Sequence, residues 1–242
     1  MQMGVFIAEG MGLRIPVGGL SIGVDDSGGF TSNLTLEVRL DIWPYWLDIG
    51  MDHAVEALST RQNLIEAAQG SDETKSSLLE AECKTGMVAI AAAAFALDAF
   101  YEATRNALPG MDALVATWNK SGTARHARVS ETLRRAFRVN DQQVAKLRQQ
   151  VKELFKFRAW AVHPPAGYRE PVLHDVLRVG VEWRFVAFSA TNARRAIVGA
   201  TNTIAQCLGA PRSQDQGFRS WCESALVRVG PRIERSKVEL GE

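Results

Sequence analysis

Two residues in the second half of the chain, Arg158 and His163, stand five positions apart in the stretch FKFRAWAVHPP (155–165). A guanidinium stays charged at physiological pH and can grip a carboxylate or a phosphate through two parallel hydrogen bonds. An imidazole titrates near neutrality and can take or give a proton. A cation that holds an anion and a base that moves a proton beside it are the parts of a simple acid–base site, provided the chain brings them together.

The helix that must position them is legible. Val144, Leu147, Val151 and Leu154 recur at intervals of three and four, which makes one apolar stripe, and the next two places on that stripe are Arg158 and Ala161. A guanidinium therefore falls where the pattern asks for a core residue, so it must be paired, snorkel to the surface, or face a wet cleft. His163 would lie roughly 140° around a continuing helix from Arg158. It precedes Pro164, however, and a residue before proline is pushed away from helical geometry. The helix is expected to end near Val162, freeing His163 to swing over the helix end towards Arg158, with Pro164 and Pro165 stiffening the exit. The plainer alternative is a structural ion pair between Arg158 and a carboxylate such as Asp98 or Glu102, with an incidental loop histidine; the residues alone leave both open.

The rest of the chain divides in two. In residues 1–45, Leu13, Ile15 and Val17, then Leu20, Ile22 and Val24, alternate with other residues up to the turn DDSGG; Leu34, Leu36, Val38 and Leu40 alternate after it. This is a β-hairpin appendage with one face expected to be buried. A lone hairpin is barely stable in water, so it must pack on helices or pair with a second copy. Residues 46–242 read as a helical domain, with helices at about 48–69, 72–107, 111–120, 123–138, 141–162, 172–208 and 214–229. Gly70-Ser71-Asp72 and Pro109-Gly110 mark breaks, and Asn140-Asp141 is placed to cap the helix that carries Arg158, with Gln143 reaching back. Small residues in AIAAAAFALDA and ARRAIVGATNTIA allow close helix approach, as in a bundle.

Charge is near balance overall, at +1, but unevenly spread. Lys120–Arg158 holds eleven Lys/Arg against three Asp/Glu, and Glu37–Glu102 holds twelve acids against four bases. The basic run, with Arg125, Arg128, Arg134, Arg135 and Arg138, offers a surface for a polyanion such as RNA, unless the two regions neutralise each other in the fold. Cys83, Cys207 and Cys222 form no CxxC pair and read as reduced thiols, which fits a cytoplasmic setting. No signal peptide is evident, and MVAIAAAAFAL (87–97) is a core helix too short to span a bilayer, so no membrane association is expected.

Other motifs fail on context. Gly19-Leu20-Ser21-Ile22-Gly23 matches the serine-hydrolase elbow in letters, but a turn and a second strand follow where that elbow needs a helix. His53, His126 and His174 form no pair with metal-ligand spacing, so neither a metal site nor a cofactor is expected.

The stretch RAWAVHP resembles the R-x4-6-H signature of HEPN domains, small helical bundles found in prokaryotic toxins and RNA-processing nucleases. AIAAAAFALDAFYEATRNAL (89–108) resembles the early helix of that fold, and the similarity covers about residues 75–208. The fold class it implies is mainly α, a HEPN-like helical bundle, here with an N-terminal β-hairpin. It also implies a homodimeric, metal-independent endoribonuclease whose motifs line a shared cleft. Arg158 would clamp the phosphate and His163 would act as general base, with Asp98 and Glu102 as supporting polar groups and an antitoxin or other protein as partner. Ala159 stands where active members usually carry a polar residue, and Pro165 where some toxins carry a tyrosine that a partner nucleotidyltransferase modifies. A non-catalytic RNA- or protein-binding module is the alternative the same resemblance allows.

Overall fold

The computed structural model describes residues 5–8, 10–139, 141–163 and 165–241. It divides into two compact units, Met1–Ile42 and Trp43–Glu242, so the boundary falls slightly before the expected residue 45. The protein is mainly helical, with a small antiparallel hairpin region at its N-terminus.

The first unit is a long two-stranded ribbon. β1 (Met11–Arg14) pairs antiparallel with β4 (Glu37–Leu40), and β2 (Leu20–Val24) with β3 (Phe30–Leu34). Five residues, 15–19, separate β1 from β2, while two, 35 and 36, separate β3 from β4. The surplus is odd. It matches the change of parity in the apolar pattern, from Leu13 to Leu20, against an unbroken alternation from Leu34 to Leu40 on the return strand. Leu13 consequently faces Val38, Leu20 faces Leu34 and Val24 faces Phe30, while Ser21–Asn33, Gly23–Thr31 and Arg14–Glu37 fill the alternate positions. At the tip the Asp25 carboxylate accepts hydrogen bonds from the Ser27 and Gly29 amides, at 2.9 and 2.8 Å. The expected period-two face is present, but it is exposed where the pattern anticipated burial: Phe30 is 88% accessible. Ser21 lies mid-strand, as the rejection of a hydrolase elbow required.

The second unit is built around α2 (Asp72–Ala107), against which α1 (Trp43–Glu66, followed by a 3₁₀ turn), α4 (Arg125–Ala136), α5 (Asp141–Val162) and α7 (Ala190–Leu208) pack. The remaining helices are α3 (Asp112–Ser121), α6 (Trp183–Ala187) and α8 (Gln216–Leu240). Ser71 caps α2 by accepting from the Thr74 amide at 3.2 Å, and Asp72 and Glu73 in the first turn suit the helix dipole. Ala89, Ala92, Ala93, Ala94 and Ala96 of α2 are buried, α1 and α7 pack on that helix, and two glycines permit the closest approaches. A Cβ on Gly86 would overlap the Phe188 carbonyl, and one on Gly50 of α1 would overlap the Ile197 side chain. Trp43, Leu97, Phe100, Leu133, Val151, Ile197 and Phe218 fill the core that results. By length and composition α2 could cross a membrane, yet 56% of its most apolar window is buried in this bundle.

Two expectations need correction. The helix expected over 172–208 is broken: β5 (Val172–Leu173) pairs with β6 (Gly180–Val181) around a turn in which Arg178 takes a left-handed φ of 56°, and α6 and α7 follow. Its apolar spacing resembles a helix, but Pro171, Gly180 and the turn between them prevent one. Helix α8 runs past Pro231, where a stop near 229 was expected. Tertiary pairs carry it through the proline: Arg232 binds Asp48 at 2.6 Å and Arg235 binds Asp52 at 2.6 Å, both on α1. The proposed Asn140 cap lies outside the described residues.

Candidate active site

The stripe on α5 faces the core as read: Leu147, Val151 and Leu154 are buried. Arg158 continues it, with its side chain 36% accessible, and meets α2 there. Its Nη1 lies 3.5 Å from Asp98 Oδ2, and the guanidinium sits over the Phe95 ring at 4.7 Å from the centroid. The second oxygen of Asp98 accepts from Arg125 Nε at 2.6 Å. Arg125 also donates to Glu102 at 2.7 Å and lies over the Tyr101 ring at 4.4 Å. Arg105 takes the other oxygen of Glu102 at 2.7 Å. Two carboxylates are thus held among three guanidinium groups, an arrangement with a net positive charge. Burial pushes the Tyr101 phenol above its ordinary pKa, with Arg125 pulling the other way.

Helix α5 ends at Val162, where Pro164 predicts, but His163 is not released from the turn: its amide still donates to the Ala159 carbonyl at 2.7 Å. The imidazole is exposed and leaves the helix roughly 140° round from Arg158. Within one chain no hydrogen bond or ion pair joins the two among the described residues. The structural pairing of Arg158 with Asp98 is the contact that forms.

The basic run is largely spoken for. Arg125 serves α2; Arg128 donates to Asn119 Oδ1 and to the carbonyls of Trp118 and Thr123, which ties α4 to the end of α3. Arg134 and Arg135 both bind Glu131, and hydrogen bonds from these two hold that carboxyl below its usual range. Arg138 is exposed at one end of a groove of about 1080 Å³. Acids of α2 thus pair with Arg125 and Arg158, so the two oppositely charged regions neutralise each other in part.

Two features escaped the sequence. The groove lies between α5 and α7 over a floor that includes Ile90, Leu147 and Leu154, and its walls carry Lys146, Gln150 and Arg195. On α5 its signal was the recurrence of Gln143, Lys146, Gln150 and Glu153 at intervals of three and four. The second is a buried cluster around His174, a residue expected inside the 172–208 helix and without metal-ligand spacing. His174 and Glu82 are each 1% accessible. Glu82 Oε1 accepts from Arg61 at 3.0 Å and from the Ala190 amide at 2.8 Å, so it caps α7 from α2. Arg61 also pairs with Asp175, and His174 Nδ1 accepts from the Leu177 amide at 3.2 Å. Burial holds the imidazole below its ordinary pKa, against the pull of Asp175 and Glu82. Sequence could not show this, because Arg61, Glu82 and His174 are distant along the chain.

No family model matches the chain, and neither a curated protein nor a solved structure does.

Proposed function

We propose that the protein is a HEPN-like, metal-independent endoribonuclease acting on single-stranded RNA as a homodimer, in a toxin or defence setting. The observation that supports this most is the state of Arg158. It stands on the core stripe of α5, yet a third of its side chain is open and, among the described residues, one carboxylate holds it through a 3.5 Å contact. Such a guanidinium keeps donors for a phosphate while it rests over the Phe95 ring, 4.7 Å from the centroid.

His163, exposed at the end of the same helix, supplies the base. Because it and Arg158 leave α5 on different sides, the site would be composite: the motifs of two copies face each other across a cleft, as the HEPN resemblance implies. His163 takes the proton of a ribose 2′-hydroxyl, and the resulting oxyanion attacks the adjacent phosphorus. The 5′-oxygen leaves and takes a proton from solvent. Arg158 offsets the extra negative charge of the transition state, and the products are a 2′,3′-cyclic phosphate and a 5′-hydroxyl.

A second reading is a non-catalytic HEPN-like module that binds RNA or a protein partner and keeps Arg158 for structure. The Arg158–Asp98 pair and Ala159 beside the motif arginine favour it. The two readings part in one assay. Incubation of single-stranded RNA with the full chain in EDTA gives fragments ending in cyclic phosphate under the first. Under the second, RNA shifts in a gel, stays whole, and is released steeply by salt.

A further inference from the structure

We propose that the groove between α5 and α7 is a track for single-stranded RNA, which it holds by the phosphates and leads towards His163. Only the strand's destination rests on the ribonuclease reading; binding in the groove does not.

The starting observation is three cations that the fold leaves without a partner. Arg138, Lys146 and Arg195 line the groove and are exposed, and among the described residues no hydrogen bond or ion pair holds their side chains. They differ in this from Arg125, Arg134 and Arg135, which carboxylates occupy. Glu153 is the one acid among the described lining residues, and its carboxylate already accepts from Gln149 at 2.6 Å. The groove is thus net positive, and its field selects an anion.

The spacing of the cations selects a strand. The two helices run antiparallel across the groove: the Arg138 amide donates to the Ala210 carbonyl at 2.8 Å, and further along the Thr203 hydroxyl donates to Gln150 at 3.5 Å. A Cβ on Gly199 would meet the Gln150 amide, so that glycine lets Gln150 lie against α7. Lys146 stands four residues from this crossing in one direction and Arg195 four residues in the other. At roughly 1.5 Å per residue they are about 12 Å apart along the axes. One phosphate cannot bridge that span, whereas successive phosphates of an extended strand can. Between the cations stand Gln150, Asn202 and Gln206, whose side chains carry both donors and acceptors, as base edges and ribose hydroxyls do.

The lining stripe of α5, which runs from Gln143 to Phe157, continues at the same intervals to Trp160. Trp160 is half-buried and meets Phe157 and Trp183 edge to face, at 5.2 and 5.0 Å between centroids. Lys156 lies over the Trp160 ring at 4.5 Å, and Arg169 over the Trp183 ring at 4.9 Å. Cations interleaved with aromatic rings are the combination that holds single strands, since phosphates meet the one and bases the other. His163 follows Trp160 by three residues within the last turn, so the two are neighbours at the end of α5. A strand laid in the groove and across Trp160 brings its next ribose to that imidazole.

Fluorescence anisotropy of the full chain with a labelled 2′-O-methyl oligoribonucleotide, which has no 2′-hydroxyl to attack, tests this. Wild type is expected to bind, and more weakly as salt rises. Lys146→Gln and Arg195→Gln should each raise Kd about five-fold at about 0.1 M salt and make the slope of log affinity against log salt shallower by about 0.7, the share of one phosphate contact on a single strand. Lys120→Gln, which removes the same charge from α3, leaves both unchanged. With natural RNA the two groove variants should raise KM by the same factor and keep kcat; an unchanged KM would overturn the link to His163. No binding by wild type, or groove variants that bind as wild type does, overturns the proposal, and the second result leaves the ribonuclease reading intact. The predicted losses of affinity beside natural RNA that stays whole keep the track and overturn the ribonuclease reading instead. Equal competition by a mononucleotide at the same phosphate concentration would make the groove a site for free nucleotide, and equal competition by polyglutamate a site for acidic peptide; either overturns the strand.

Discussion

Arg125 and Arg158, from two different helices, hold opposite oxygens of one carboxylate: Arg125 Nε lies 2.6 Å from Asp98 Oδ1, and Arg158 Nη1 lies 3.5 Å from Asp98 Oδ2. Asp98 thereby links α2 to both α4 and α5 and sets where the Arg158 guanidinium rests. Asp98→Asn keeps the shape but removes the charge. Arg125 retains Glu102, whereas Arg158 loses the carboxylate that pairs with it among the described residues. Urea unfolding should show a loss of about 1–2 kcal/mol, the range for a half-exposed charged hydrogen bond left without its partner. A variant as stable as wild type would show that Asp98 does not hold α5.

The close approach at Gly86 predicts a contrast between two glycines. Gly86→Ala sets a methyl against the backbone carbonyl of Phe188, which cannot turn aside; Gly50→Ala meets the end of the Ile197 side chain, which can. The first should cost at least about 2 kcal/mol and the second less, since overpacking is dear where the neighbour is rigid. Thermal unfolding of both variants checks the order, and equal costs would contradict it.

The buried imidazole of His174 makes stability depend on pH. Burial lowers its folded pKa below the ordinary 6.5. The unfolded chain therefore binds a proton that the folded chain refuses. Stability is at its full value above pH 6.5 and is lost as pH falls from there through the folded value. His174→Gln should flatten the stability profile below pH 6.5 relative to wild type, with Glu82, Asp175 and Arg61 unchanged. An identical slope in the two proteins would place the titration elsewhere.

How far the fold was legible follows from which interactions are local. The apolar stripe of α5, the Ser71 cap and the DDSGG turn are set by neighbours within a few residues, and the sequence pattern located each. The β5–β6 turn was missed because Val172, Leu173 and Val176 share a spacing with helical apolar residues, while the left-handed Arg178 marks the turn that breaks the helix there. The extension of α8 past Pro231 depends on Asp48 and Asp52, more than 180 residues away. At the candidate site, the Arg158–carboxylate pair was foreseen as an alternative because a guanidinium on a core stripe needs a partner. The release of His163 from its turn was expected from Pro164 and did not occur: the proline limits the backbone of His163 but does not remove its amide from Ala159. For the basic run, charge counts left open whether the acidic region neutralises it; in the fold α2 supplies Asp98 and Glu102 to Arg125, while Arg134 and Arg135 pair with Glu131 of their own helix.

Cleavage of single-stranded RNA in EDTA by the wild-type chain and by His163→Ala tests the central proposal most directly. His163 is exposed, so its replacement should leave the circular dichroism and unfolding midpoint of the protein in place. The account predicts fragments with cyclic phosphate ends from wild type, and loss of at least about a hundred-fold in rate with His163→Ala, the usual contribution of a general base. Intact RNA with the wild-type protein, or cutting that persists at the same rate in the variant, would contradict it.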